Sequence, residues 1–191
     1  MKDPWEWLFF MQHHGIPTRL LDWTESPLTA LFFAVTSSSH KLNATQTYSF
    51  ANDAAMWILS PDDWNRKSVD LASFPGRVLS TNDSNLNAYV PVGDCSVMKE
   101  YPLAIYGSHN SQRIVAQRGV FVVFGKDTNP MEKIYQGNDF PADCLYKIIF
   151  DKNDLPDLLD AIRRNGITDS VIFPDLDGLA REIRREFKFG G

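Results

Sequence analysis

The pattern of apolar and polar positions predicts a helix at the start of the chain. Asp3 followed by Pro4 is a typical helix start, with the aspartate as N-cap and the proline at the first helical position. The residues that follow at helical spacing share one face, which consists of Trp5, Leu8, Phe9 and Gln12. Gly15 is expected to end this helix.

A second helix is predicted after an irregular stretch. Residues 16–25 mix polar and apolar side chains without a clean period, which indicates a loop or a short strand with buried anchors. Ser26 and Pro27 repeat the signal of a cap followed by proline. The inward face of this helix is expected to consist of Leu28, Leu31, Phe32 and Val35. Residues 39–54 are polar and aperiodic, which predicts a mobile, loosely ordered insertion.

Short apolar runs in the middle of the chain predict strands at residues 56–59, 103–106, 120–124 and 145–150. A capped helical turn is expected after the first of these runs, and turn chemistry at residues 80–87. Residues 112–117 are expected to form one or two helical turns closed by Gly119.

The last third of the chain predicts two helices. The first is capped by Asn153 or Asp154, ends at Gly166, and has an apolar face made of Leu155, Leu158, Leu159 and Ile162. A short strand or turn at 171–173 then precedes a final helix over 174–187. Strands separated by helices and irregular loops predict a single α+β domain, with a mixed or antiparallel sheet and flanking helices.

Composition and charge limit the class of protein. A chain of 191 residues, 43% of them hydrophobic, is long enough to form one compact domain. Cys95 and Cys144 lack CxxC spacing, the start does not resemble a signal peptide, and no apolar run approaches about 20 residues. These features favour a cytoplasmic protein without a membrane segment. The net charge of −5 argues against broad nucleic-acid binding, with a local contact through Arg113 and Arg118 as the weaker alternative.

The densest polar segment is QHHGIPTRLLDWT, residues 12–24. The common signatures of nucleotide hydrolases, dehydrogenases, esterases and zincins are absent, so candidate chemistry centres on this loop. In a functional interpretation, His14, Arg19 and Thr24 face a cleft and contact a phosphate-bearing or sugar-bearing ligand. In a structural interpretation, a histidine bonds a backbone carbonyl and Arg19 pairs with Asp22 as a clamp. Both interpretations stay open.

Two further segments carry candidate residues. Arg113 and Gln117 are four residues apart and share a helical face, which suits a polyoxygenated ligand or a simple surface pair. Asp175 and Asp177 lie near a predicted helix start, where capping explains them without a metal. No metal site is expected, since adjacent histidines on a helix point apart and have no ligand partner at the next turn.

These segments together resemble the FRG domain, a family named for a Phe-Arg-Gly motif. The resemblance rests on QHHGIPTRLLDWTESPLTALFFAV at 12–35, RIVAQRGVF at 113–121 and FPDLDGLAREI at 173–183, in the family's order. It implies a single FRG-like domain over residues 1–191. The Phe-Arg-Gly tripeptide is missing upstream of the first helix, so we expect either a fragment that lacks an upstream segment or a shortened member.

The order of the segments is also distantly similar to that of ADP-ribosyltransferases. This resemblance implies a nucleotide-type small-molecule ligand, with NAD as the candidate cofactor and an ADP-ribosyltransferase-like fold. Gln117 and Arg19 are the candidate catalytic residues. Position 119 is Gly where the catalytic glutamate of those enzymes would align, and the neutral amide of Gln117 stabilises positive charge less than a carboxylate does. The candidate NAD-binding residues are His13, His14, Thr18, Arg19, Asp22, Trp23, Thr24 and Arg113.

Two functions of different classes follow from these resemblances. The first is NAD binding with ADP-ribosyltransferase-like activity on a macromolecular acceptor that the sequence does not identify. The second is a non-enzymatic sensing or interaction module, for example in bacterial or phage defence, with a partner that is likewise unidentified.

Overall fold

The structure is a computed structural model that describes residues 3–42, 47–90, 95–107 and 111–187. The chain divides into two compact units. The first unit consists of Met1–Trp23, Ile58–His109 and Val120–Tyr146. The second consists of Thr24–Trp57, Asn110–Gly119 and Lys147–Gly191.

Helices and short strands alternate along the described chain. The helices are α1 Pro4–His13, α2 Pro27–Thr36, α3 Pro61–Val69, α4 Gln112–Ala116, α5 Met131–Gly137, α6 Leu155–Arg164, α7 Asp169–Ile172 and α8 Leu176–Glu186, with 3-10 helices at Ser84–Tyr89 and Cys95–Val97. The strands are β1 Leu20–Thr24, β2 His40–Leu42, β3 Tyr48–Phe50, β4 Ala54–Leu59, β5 Leu103–Ile105, β6 Gly119–Val123 and β7 Leu145–Phe150. These elements confirm the predicted α+β class.

The strands form three small sheets. The largest has the order β1-β6-β5, and its β5–β6 pair is antiparallel, with Leu103 opposite Val123 and Ile105 opposite Phe121. β2 and β3 form an antiparallel hairpin, and β4 pairs with β7. The antiparallel pairs agree with the predicted mixed or antiparallel sheet.

In the first unit, α3 is fastened to β5 by the buried side chain of Asn65. Its amide nitrogen donates to the carbonyl oxygens of Arg77 at 2.7 Å and Ala104 at 2.8 Å, and its oxygen accepts from the Ala104 N–H at 2.7 Å. Trp64, on the same helix, stacks on Phe140 with ring centroids 4.2 Å apart. A buried amide whose groups are all bonded fixes one position of a helix on a strand.

In the second unit, α2 and α6 pack around one apolar core. The core follows from helical spacing, since Leu155, Leu159 and Ile162 of α6 lie on one face. Its buried residues are Phe32, Val35, Phe50, Ala54, Leu155, Leu159, Ile162, Ile172 and Phe173. The left-handed backbone at Gly166, with φ of 78°, follows the end of α6 as predicted.

Several sequence predictions need correction. Leu28 is 42% exposed, while Phe32 and Val35 are buried as predicted. Residues 171–173 lie at α7 and its C-terminal end rather than in a strand. The insertion expected over 39–54 contains the β2–β3 hairpin, and residues 43–46 lie outside the described part of the chain. Helix α5 was not predicted.

The single domain over 1–191 stays a prediction, and so does the cytoplasmic location. Within the described residues, no helix combines the length and the apolar character that a membrane crossing requires.

Candidate functional site

Helix α1 has two faces with different surroundings. The carboxylate of Asp3 accepts a hydrogen bond from the Trp5 N–H at 3.0 Å, which caps the helix as predicted. The inner face buries Trp5, Leu8 and Phe9. The outer face, displaced by half a turn, leaves Trp7 and Phe10 exposed over 52% and 50% of their surface.

Four rings on and after the outer face contact one another in sequence, and we call them the aromatic ladder: Trp7, Phe10, His14 and His13. Trp7 and Phe10 meet edge to face with centroids 5.9 Å apart. Phe10 lies 4.4 Å from the ring of His14, which in turn lies 5.1 Å from the ring of His13. The Trp7–Phe10 and His14–His13 pairs are edge to face and the Phe10–His14 pair is tilted, and about half of the surface of Trp7 and Phe10 stays exposed.

The loop after α1 folds back onto the inner side of the helix. Gly15 adopts a left-handed backbone with φ of 73°, which reverses the chain. The Thr18 hydroxyl donates to Gln12 Oε1 at 2.5 Å and accepts from the Leu20 N–H at 3.0 Å. Gln12 Nε2 donates to the exposed carboxylate of Asp22 at 3.0 Å. This network gives Gln12, Thr18 and Asp22 a structural role in closing the loop.

Arg19 and Asp22, which the structural interpretation paired as a local clamp, are directed to different partners. The Arg19 guanidinium donates to the carbonyl oxygen of Tyr89 and lies 3.2 Å from the sulfur of Met98. Its own carbonyl oxygen accepts from the Phe124 N–H at 2.9 Å. Burial raises the pKa of the Tyr89 hydroxyl, and the nearby Arg19 charge opposes that shift. Arg19 therefore connects the loop to the interior of the first unit.

Trp23 is half buried near the end of β1. Its indole nitrogen is buried and has no hydrogen-bond partner among the described residues. A buried donor without a partner costs about 1–3 kcal/mol, so this group stands out among the candidate residues.

In the second unit, Thr24 and Gln117 are joined by a hydrogen bond. The Thr24 hydroxyl donates to the Gln117 carbonyl oxygen at 2.7 Å and accepts from the Ser26 N–H at 3.0 Å. The Gln117 side-chain amide donates to the carbonyl oxygen of Ile172 at 3.2 Å. The polar groups proposed for ligand contact are thus engaged in joining β1, α4 and α7.

Arg113 reaches the same part of the second unit. Its guanidinium carbon lies 4.8 Å from the ring centroid of Phe173, and Arg181 approaches the same ring at 4.3 Å. Arg113 and Gln117 therefore lie on one side of α4, as predicted. That side contacts Ile172 of α7 and Phe173 at the C-terminal end of α7.

The turn after α4 differs from the prediction. Gly119 was expected to close the helix, but the left-handed residue is Arg118, with φ of 47°. Gly119 is buried as the first residue of β6. The exposed Arg118 side chain lies 3.8 Å from the Glu25 carboxylate. A non-glycine residue at positive φ is uncommon, so this turn is strained.

Asp175 has a structural role. The Asp175 carboxylate accepts from the Gly178 N–H at 2.7 Å and caps α8, as the capping interpretation predicted. The described residues contain no group of three or more His, Cys, Asp or Glu side chains placed to hold a metal ion.

The structure therefore groups the candidate residues by unit. In the first unit, the two histidines lie with the ladder on the outer side of α1, and Thr18 and Asp22 lie on the inner side with Gln12. In the second unit, Thr24 and Gln117 are bonded, and Arg113 shares their neighbourhood. Trp7 and Phe10 were missed as candidates, although their spacing to His14 was present in the sequence.

The comparisons with known proteins support one resemblance. The family model described as FRG domain matches residues 1–43, a segment that contains α1, the loop and α2. No curated protein and no solved structure matches the chain. The distant resemblance to ADP-ribosyltransferases receives no support from these comparisons.

Proposed function

We propose that the chain binds a nucleotide-type ligand on the outer face of α1, with oxidised NAD as the first candidate. The observation that carries the proposal is the aromatic ladder, a set of contacting rings on the segment that matches the FRG domain. Nucleobases stack on exposed aromatic side chains because every base has a π face. Each stacked base contributes about 1–3 kcal/mol.

The electrostatics of the ladder favour a planar cation. Its His14 end lies at the C-terminus of α1, where the helix dipole places partial negative charge. The faces of tryptophan and phenylalanine also attract cations, by about 0.5–1 kcal/mol at exposed sites. The nicotinamide ring of oxidised NAD is planar and positively charged, whereas that of reduced NAD is uncharged. We therefore expect oxidised NAD to bind about two- to fivefold more tightly than the reduced form.

The proposal covers binding without ADP-ribosyl transfer. A transferase needs a carboxylate to stabilise the positive charge that develops on the ribose. Position 119 is a buried Gly, and the Gln117 amide donates to the Ile172 carbonyl oxygen. A sensing role in bacterial or phage defence stays a prediction from the resemblance, as does any macromolecular acceptor or partner.

Calorimetric titration of the full chain tests the proposal. The ligands are oxidised NAD, reduced NAD and AMP, and the variants are Trp7→Ala and Phe10→Ala. Both variants are expected to weaken binding of oxidised NAD at least fivefold, since each removes an exposed stacking surface. The matched control is Leu71→Ala, which removes a 49% exposed apolar side chain from the same unit and is expected to leave binding unchanged.

Two results would overturn the binding proposal. One is the absence of binding by any of the three ligands, and the other is full binding by both ladder variants. The expected absence of ADP-ribosyl transfer is tested by incubating the chain with oxidised NAD and measuring the nicotinamide released. Release above the buffer rate would show that the exclusion of catalysis is wrong.

A further inference from the structure

Helix α8 turns a polar face inward. Gly178, Glu182 and Arg185 recur at helical spacing. Gly178 contacts the segment that precedes α8, and Glu182 and Arg185 contact α7. Arg185 Nε and Nη2 donate to the Asp169 carboxylate at 2.8 and 3.1 Å. The Glu182 carboxylate accepts from the Ser170 N–H at 2.8 Å. The helix is thus attached through charged and hydrogen-bonding groups rather than through apolar residues.

The opposite side of α8 carries an apolar stripe, defined by Leu176, Leu179 and Ile183. The exposed fractions of these side chains are 83%, 46% and 42%. Their spacing of three and four residues places them on one side of the helix, and the 62% exposed Phe187 follows four residues later. An amphipathic helix that exposes its apolar side and buries its polar side is typical of an interaction surface.

The charges beside the α8 stripe are arranged to suit a second copy of the helix. Asp177 and Arg184 are exposed, are seven residues apart, and lie along the same edge of the stripe. Glu186 lies along the other edge, near the C-terminal end. When two copies run antiparallel, Asp177 of one copy comes beside Arg184 of the other. Glu186 of one copy then lies near the positive N-terminal end of the other helix.

We propose that the α8 stripe is the contact of a two-fold symmetric dimer, with the two α8 helices packed antiparallel. The two-fold axis passes between Leu179 and Ile183. Leu179 of each copy therefore faces Ile183 of the other copy. A two-fold contact requires such self-complementarity, because the same surface serves both copies. The apolar residues meet in the centre, and the pairs of Asp177 with Arg184 lie at one rim.

The size of α8 predicts a weak dimer. An 11-residue helix is about 17 Å long, and a pair of such helices buries less than the roughly 1,200–2,000 Å² of a standard stable interface. We therefore expect a reversible equilibrium that shifts towards dimer as the protein concentration rises.

Sedimentation velocity of the full chain from about 1 μM to about 1 mM tests the proposal. The wild type is expected to approach dimer mass at the upper end. Leu179→Glu and Ile183→Glu are expected to stay monomeric, with circular dichroism unchanged because both side chains are exposed. The control Leu71→Glu, also at an exposed apolar residue, is expected to dimerise like the wild type.

A charge exchange tests the antiparallel arrangement. Asp177→Arg and Arg184→Asp are each expected to weaken dimerisation about tenfold, because each places like charges together. An equimolar mixture of the two variants is expected to recover wild-type dimerisation, since both rim contacts then join opposite charges. Three results would overturn the proposal: a wild type that is monomeric at the highest concentration, a dimer that tolerates both glutamate variants, or a mixture that does not recover.

Discussion

Helices α1 and α8 are similar in length but are attached to their units in opposite ways. Helix α1 buries Trp5, Leu8 and Phe9 and exposes aromatic rings, so it carries apolar residues on both sides. Helix α8 buries only Gly178 and is attached by the Arg185–Asp169 ion pair and the Glu182 hydrogen bond. Apolar burial is non-directional and strong in sum, whereas ionic contacts are directional and contribute little net stability. The stability of α1 should therefore depend on side-chain volume, and that of α8 on charge and geometry.

The largest effect is expected on the inner face of α1. Phe9 is 3% exposed and its ring lies 5.0 Å from that of Phe121. Phe9→Ala should lower the free energy of unfolding by about 3–5 kcal/mol, because it leaves a cavity in the core. Phe10→Ala, at the 50% exposed neighbour, should cost less than about 1 kcal/mol. Urea denaturation followed by circular dichroism measures both, and equal costs would show that the two faces are wrongly assigned.

The α1 fold was predictable because its signals are local. A cap, a proline and apolar residues at helical spacing all lie within the first turns of the chain. The same signals located α2, and a cap with an apolar face located α6. The position of α8 in the chain was also predictable, but the side of the helix that faces inward was not. Helical spacing shows that a helix is amphipathic without showing which side faces inward, and at α8 the decision depends on Asp169, an aspartate of a different helix.

Three other features were not predicted, each for a different reason. Helix α7 has four residues, too few for a helical period, and its two β-branched residues favour a strand prediction. The partners of Arg19 lie 70 and 79 residues away, so the sequence offered only a local pair with Asp22 or a ligand contact for its side chain. The left-handed backbone of the turn after α4 is at Arg118, although a glycine such as the adjacent Gly119 adopts a positive φ more easily.

The ion pair that attaches α8 should give the second largest effect. Arg185 and Asp169 are largely buried, with side-chain exposures of 16% and 5%. Asp169→Ala should cost about 2–4 kcal/mol, because it leaves the Arg185 charge buried without its partner. Replacing both residues, as Asp169→Leu with Arg185→Met, should recover most of that loss.

The same urea experiment separates charge from volume at this position. If the double variant is as unstable as Asp169→Ala, packing rather than the uncompensated charge determines the loss. The exposed Arg184→Ala is the matched control in α8. At about 1 μM, where the chain is expected to be monomeric, it should change stability by less than about 0.5 kcal/mol.

Two glycines extend the comparison to the ends of the helices. A Cβ at Gly178 would clash with the Phe173 carbonyl oxygen, so the start of α8 would have to move away from the backbone before it. Gly178→Ala should cost about 1–3 kcal/mol. A Cβ at Gly15 meets nothing within 4 Å. Gly15→Ala should therefore lower the free energy of unfolding by only about 1 kcal/mol, the cost of placing alanine in a left-handed backbone at φ of 73°. Thermal unfolding of both variants checks the order, and a larger loss at Gly15 would contradict it.

The smallest effect is a pH dependence confined to α8. Burial raises the pKa of Glu182, but hydrogen bonds from Ser170 and Thr168 outweigh it, so the net pKa lies below the ordinary value of 4.5. A carboxylate with a lowered pKa in the folded state stabilises the protein above its unfolded pKa, and the stabilisation is lost as the pH falls through the folded pKa. Glu182→Gln should therefore cost about 0.5–1 kcal/mol at pH 7, and this difference from the wild type should shrink below about pH 4.5. Since α1 is attached by apolar burial, Phe9→Ala should show the same loss at both pH values. A Glu182→Gln difference that does not change with pH would mean that the side chain acts through packing, and α8 would then resemble α1 more closely than its contacts indicate.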